Sequence, residues 1–168
     1  MPALKKLLVV YHSETGTTQK LAEAVIKGIK QQSCSNVITS VEDPLSVRFE
    51  KVLETDAIIM GTSENFGYMS GALKHFFDSI YYPCLGKKQG LVYGLFIKAG
   101  TDGSGALSSV ERIINGLAWR EVVEPKIIGL PCSKISCVSA FVSFSVNSAK
   151  APSLKILQFW YISINEVP

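Results

Sequence analysis

The sequence predicts a three-layer α/β fold around a five-stranded, mainly parallel sheet. Three observations carry the prediction. Short apolar runs alternate with stretches of helical periodicity through the first 131 of 168 residues, the pattern of successive βαβ units. Two of the runs, LLVVY at 7–11 and AIIM at 57–60, lack the polar alternation of a half-exposed strand, so they belong where helices cover both faces. Three of the strands lead into polar, glycine-bearing loops at 12–18, 61–70 and 99–105. Right-handed crossovers gather such loops at one end of the sheet, where α/β folds hold ligands.

In chain order, the strand at 7–11 is followed by Leu21, Ala22, Val25, Ile26 and Ile29 at helical spacing. Residues 36–41 read as a β-branched strand, and Leu45, Phe49, Val52 and Leu53 as a short helix after Asp43-Pro44. The strand at 57–60 stops before Gly61, and Leu73, Phe76, Phe77 and Ile80 mark a helix after Ser70. A fourth strand spans 91–97, and Leu107, Val110, Ile113, Ile114 and Leu117 define the next helix. The fifth strand, 122–130, is interrupted by Pro125. Residues 132–168 break the pattern. Val142, Phe144 and Val146 alternate with serines, as on a half-buried strand, and 154–164 is an apolar run with almost no charge. The domain is accordingly set at 1–131, with 132–168 as an atypical apolar C-terminal tail.

Charge and cysteines exclude several function classes. Residues 1–131 hold fourteen Lys and Arg against thirteen Asp and Glu. A near-neutral body without clustered basic residues offers no footprint for nucleic acid. Cys34, Cys84, Cys132 and Cys137 form no C-x-x-C pair, and only two histidines accompany them, so no metal site is expected. The opening KKLLVVY has too short an apolar run for a signal peptide, and no segment reaches the roughly 20 residues of a membrane span. These readings suit a cytoplasmic protein with reduced thiols.

The chemistry is expected in Ser13-Glu14-Thr15-Gly16-Thr17-Thr18, between a buried strand and a helix. The first N–H groups of a helix lack partners and the helix dipole adds partial positive charge, so an anion is favoured there. The hydroxyls of Ser13, Thr15, Thr17 and Thr18 add donors, and Gly16 lets the backbone turn closely around a phosphate. No Lys or Arg lies in the loop, unlike a G-x-x-x-x-G-K-[ST] loop, and neutral donors suit a terminal monophosphate better than a metal-bound triphosphate. The plainer alternative is that these hydroxyls only cap the helix.

The run Val9-Val10-Tyr11-His12-Ser13-Glu14-Thr15-Gly16-Thr17-Thr18 resembles the FMN-phosphate loop of the flavodoxin family. The stretch GTSENFGYMSGALK at 61–74 is similar to the second flavin loop of the NAD(P)H-dependent flavin and quinone reductases in that family, and AGTDGSG at 99–105 stands where the third lies. Over residues 1–130 the resemblance implies a flavodoxin-like fold with FMN at the carboxyl ends of the strands. It places Ser13, Thr15, Gly16, Thr17 and Thr18 on the phosphate, and Ser63, Asn65, Phe66, Gly67, Tyr68, Gly100 and Thr101 around the isoalloxazine ring. Glu64, counted among the cofactor-binding residues, stands where a proline is usual, and Tyr68 where an asparagine is usual. A carboxylate beside the ring would oppose formation of the anionic reduced flavin.

The activity so implied is an FMN-dependent oxidoreductase, taking electrons from NADH or NADPH and passing them to a quinone, a free flavin or a similar small acceptor. No residue is assigned as catalytic, because the flavin carries the reaction. The alternative is an electron carrier docking on protein partners; such carriers are usually strongly acidic, which the near-neutral body is not. By analogy with family reductases, a homo-oligomer is also implied. The family usually ends in an amphipathic helix, so the tail at 132–168 replaces that helix, packs on a partner chain, or stays poorly ordered. Among single residues, Phe66 and Tyr68 either flank the ring or pack their loop on the next helix. Asp102 reads as a helix cap, Cys84 as a structural thiol in a loop after Tyr81-Tyr82-Pro83, and Trp119 as core. His75 reads as exposed or packed. His12 adjoins the phosphate loop without the partners of a catalytic triad.

Overall fold

The computed structural model describes residues 4–31 and 36–129. The expectations for the tail at 132–168, and for where the domain ends, lie outside those residues. Along the described chain run β1 (Lys5–Tyr11), α1 (Thr17–Gln31), β2 (Val37–Glu42), α2 (Phe49–Glu54), β3 (Ala57–Asn65), β4 (Tyr68–Met69), α3 (Gly71–Cys84), β5 (Val92–Lys98), α4 (Ser104–Gly116), β6 (Arg120–Glu121) and β7 (Lys126–Ile128). The strand order is β2-β1-β3-β5-β6, with β4 beside β3 and β7 beside β5. Every pairing is parallel except β3 with β4. The winding reverses between β1 and β3, so the C-terminal ends of those strands flank the crevice of a doubly wound sheet.

Strand alternation explains the layers. Leu7, Val9, Ala57, Ile59, Val92 and Phe96 point to one face and pack with Ala22 and Val25 of α1. Leu8, Val10, Ile58, Met60 and Leu95 point to the other, with side chains of α2, α3 and α4. Neighbours along a strand thus go to opposite faces, and both faces are covered. Helix α3 buries Leu73, Phe76, Phe77 and Ile80 almost completely. That burial contributes on the order of 8 kcal/mol, as an upper estimate. Its Ser70 N-cap, accepting the Leu73 N–H at 3.3 Å, contributes about 1 kcal/mol. Packing therefore fixes α3, and the cap defines where it starts.

Three local expectations change. Strand β3 continues past Met60 to Asn65 and turns back through β4, because Thr62 to Asn65 still pair in the sheet. The fifth strand is split: Val92 pairs with Arg120 and Phe96 with Lys126, so it carries two more residues than β5 over that stretch. Pro125, lacking an N–H for the ladder, lies in the break. Cys84 sits in the last turn of α3 rather than in a loop, one residue after Pro83, and its thiol is buried.

Candidate functional site

Three loops leave the C-terminal ends of β1, β3 and β5. In the first, Gly16 takes φ +83°, a left-handed conformation that costs glycine nothing sterically. Its carbonyl accepts the Lys20 N–H at 3.1 Å, closing the first turn of α1. Thr18 is buried, Ser13 and Thr17 are half-buried, and Glu14 and Thr15 are exposed. The telling atom is Ser13 Oγ. Among the described residues, it and Trp119 Nε1 are the buried side-chain N and O atoms without a hydrogen-bond partner. Leaving a buried hydroxyl unmatched costs about 1–3 kcal/mol, a cost that an incoming acceptor would remove. A small cleft of about 250 Å³ adjoins this loop, bounded by His12, Ser13 and Asp43. His12 Nδ1 lies 3.8 Å from Asp43 Oδ2, so its polar neighbour is a carboxylate at the end of β2.

The second loop is a hairpin. Asn65 pairs with Tyr68, leaving a two-residue turn in which Phe66 and Gly67 both take positive φ, +54° and +69°. Such a turn matches the twist of its strands, but a bulky residue in the left-handed region is strained. The turn is pressed onto α4: a Cβ on Gly105 would lie 2.0 Å from the Gly67 carbonyl oxygen. The Met69 N–H donates to Ser109 Oγ at 3.2 Å. Behind the hairpin, Thr62 Oγ1 accepts the Ser70 N–H at 3.0 Å and lies 3.1 Å from Ser70 Oγ. Phe66 is fully exposed at the tip, and Tyr68 is exposed beside it.

Glu64 joins the second loop to the third. Its side chain is buried, and Oε2 accepts the Gly100 N–H at 3.0 Å, the Thr101 N–H at 2.8 Å and the Thr101 hydroxyl at 2.9 Å. Oε1 accepts the Gly103 N–H at 3.2 Å. Gly103, at φ +75°, is the N-cap of α4, so the carboxylate also lies at the positive end of that helix dipole. The Thr101 N–H does most to hold the Glu64 carboxyl below its ordinary value; burial opposes this, and the Thr101 hydroxyl and the Gly100 and Gly103 N–H groups lower it further. Asp102 reads from the sequence as the cap of this helix; the N-cap is instead Gly103, and Asp102, one residue before it, accepts the Ser104 N–H and hydroxyl at 3.0 and 2.8 Å.

The structure thus sets Ser13, Thr15 and Gly16 on the first loop with Thr17 and Thr18 opening α1, and Ser63, Glu64, Asn65, Phe66, Gly67 and Tyr68 along the hairpin of β3 and β4, both at the crevice end of the sheet. It alters the reading of four residues. The Glu64 carboxylate is turned into the third loop, with four neutral donors around it. The N–H groups of Gly100 and Thr101 are engaged by that carboxylate. Phe66 does not pack its loop on the next helix, since its ring is fully exposed. Cys84 is an unpaired buried thiol whose pKa burial raises, opposed by Lys87 and Lys88, which makes it a poor nucleophile. His75 is exposed and Trp119 is core. Sequence reasoning missed Thr62, Gly105 and Ser109. A serine on the apolar stripe of α4 was the one available signal, because a buried hydroxyl requires a partner opposite.

Among the described residues, no group of three or more His, Cys, Asp and Glu could hold a metal ion, and no helix is long and apolar enough to cross a membrane. The sequence profile of the family described as Flavodoxin matches residues 9–118. A protein of Aquifex aeolicus named Flavodoxin is 32% identical, the match covering 60% of this chain and 53% of that one. A protein of Archaeoglobus fulgidus named NAD(P)H dehydrogenase (quinone) is 29% identical, the match covering 45% of this chain and 51% of that one. The chain spans about half the length of these curated relatives. A solved flavodoxin from Pseudomonas aeruginosa superposes with a TM-score of 0.67 at 16% identity, covering 93% of this chain and 98% of that one. This last is a likeness of fold.

Proposed function

The chain belongs to the flavodoxin family, and we propose that it is an FMN-binding oxidoreductase that takes electrons from NADH or NADPH and delivers them to a quinone or a similar small acceptor. The observation that carries the cofactor is the unmatched, buried Ser13 hydroxyl, in the loop that leads into α1 and on the same cleft as Gln19 of its first turn. A phosphate monoester fits this loop: its oxygens only accept hydrogen bonds, and Ser13, Thr15, Thr17, Thr18 and the first N–H groups of α1 all can donate. The left-handed Gly16 leaves space beside its Cα, with no atom within 4 Å of where a Cβ would stand. The chemistry that FMN supplies when bound is hydride acceptance and electron release. The residues of this chain bind and orient it, Ser13 to Thr18 at the phosphate and the hairpin 64–69 at the ring. The relative named NAD(P)H dehydrogenase (quinone) supports the donor and acceptor.

Titration of the purified protein with FMN tests the reading: flavin fluorescence is expected to be quenched to a one-to-one endpoint. NADH or NADPH consumption is then expected to require both bound FMN and a benzoquinone. A folded protein that leaves added FMN fluorescent would sink the assignment. Uptake of FMN without NAD(P)H turnover would instead favour an electron carrier, the role suggested by the Aquifex relative named Flavodoxin.

A further inference from the structure

The buried carboxylate of Glu64 remains unexplained by phosphate binding, since it lies on the second loop and reaches into the third. We propose that Glu64 is a positioning residue, whose carboxylate ties residues 100–103 to the end of β3 so that the two loops form one preformed edge for the flavin ring. The inference rests on the FMN reading for the identity of the ring; the tie itself rests on geometry alone.

The geometry has three parts. First, all four hydrogen bonds run from donors 36 to 39 residues away in sequence, so the tie bridges loops that the chain order keeps apart. Second, its donors are neutral, three of them backbone N–H groups at the entry to α4, which together form a concave anion site. The protein fills that site with its own anion. Third, the same region is braced from outside the carboxylate. Gly100 lies against the Glu64 backbone, since a Cβ there would stand 3.9 Å from the Glu64 carbonyl oxygen, and Gly105 abuts the Gly67 carbonyl. A ligand edge fixed before binding loses less conformational freedom when the ligand arrives. Gly100 and Thr101 then act through their placement, and their N–H groups are not available to the ligand. The fixed negative charge also disfavours added electron density nearby, so it acts on the reduced flavin more than on the oxidised one.

The test compares the full-length protein with Glu64→Gln, which replaces an acceptor-only group by one that presents an NH₂ to N–H donors. In the flavin-free state, amide exchange at Gly100, Thr101 and Gly103 is expected to accelerate at least tenfold, while the amides of α3 keep their rates. FMN affinity is expected to fall about tenfold. The two-electron midpoint potential of bound FMN is expected to rise by about 30 mV, which corresponds to a tenfold gain in preference for the reduced form. Glu64→Asp, which keeps the charge, should hold the potential near its original value, an outcome a purely structural role would not produce. Where Glu64→Gln fails to fold, Thr101→Val removes one of the four donors and should give a smaller acceleration at the same amides. Unchanged exchange in these variants overturns the tie. Freed amides with unchanged affinity and potential overturn the positioning role. An original protein that takes up no FMN, yet shows slow amides freed by Glu64→Gln, overturns the flavin reading and supports the tie.

Discussion

Two helix entries in this molecule are built alike and finished differently. Helix α1 follows Gly16 at φ +83°, and α4 follows Gly103 at φ +75°. Each stands after a buried parallel strand, and each offers N–H groups at the positive end of a helix dipole. At α4 the chain supplies the anion itself, Glu64, held by four hydrogen bonds. At α1, among the described residues, no carboxylate is hydrogen-bonded into the entry, and the Ser13 hydroxyl is left buried without a partner. An entry that is internally satisfied serves as scaffold, whereas one left unsatisfied is open to a ligand, the receptor of the proposed reading. Secondary structure alone does not separate the two.

Alanine at the two glycines exposes the difference most strongly. At Gly103 a Cβ would stand 2.5 Å from Ile127 Cγ2, whereas at Gly16 nothing lies within 4 Å. Both substitutions force an L-residue into the left-handed region, at roughly 1–2 kcal/mol; only Gly103→Ala adds a clash, with the exposed side chain of Ile127 and with Ala99 Cβ at 3.3 Å, of about 1–2 kcal/mol. Urea unfolding should therefore show a loss of about 3 kcal/mol for Gly103→Ala and about 1 kcal/mol for Gly16→Ala. Equal losses would erase the distinction between scaffold and receptor. The next effect separates binding from stability. Ser13→Ala removes a hydroxyl without a hydrogen-bond partner among the described residues, so flavin-free stability should stay within about 0.5 kcal/mol. FMN affinity should still fall tenfold or more, the worth of a hydrogen bond to a charged group at about 1.5–3 kcal/mol. Thr101→Val should do the reverse in stability, costing about 1 kcal/mol because its hydroxyl already serves Glu64. A Ser13→Ala variant that loses stability but keeps its affinity for FMN would show that the hydroxyl is structural.

How much of this was written in the sequence depends on how far apart the interacting residues are. The apolar runs at 7–11 and 57–60 placed the central strands, because continuous burial on both faces leaves no polar alternation to misread. The first loop was legible for the same local reason: hydroxyls and a glycine sit between a strand and a helix. The direction of Glu64 was not legible. A carboxylate in a polar loop carries no local mark of its partners, and these lie 36 residues or more away. The turn at Phe66-Gly67 was hidden too, since the usual signal for two left-handed residues is Asn-Gly, and phenylalanine suggested a side chain seeking cover. Pro125 announced a break in the fifth strand, but not that Lys126, Ile127 and Ile128 resume pairing with β5.

Phe66 offers the smallest effect and a sharp one, because it occupies a left-handed position where both helix entries use glycine. At φ +54°, with its ring fully exposed, it contributes strain and no burial of its own. Asparagine tolerates this conformation far better than a bulky side chain does and is favoured at the first position of such a turn. Phe66→Asn should therefore stabilise the flavin-free protein by about 1 kcal/mol, read as an increase in the urea midpoint. If the exposed ring serves the flavin, the same variant should bind FMN more weakly, so stability and affinity move in opposite directions. Strain retained at one residue against a local gain in stability is what a binding role predicts. A variant that is more stable and binds FMN as tightly as before would remove Phe66 from the site and leave the receptor to the first loop.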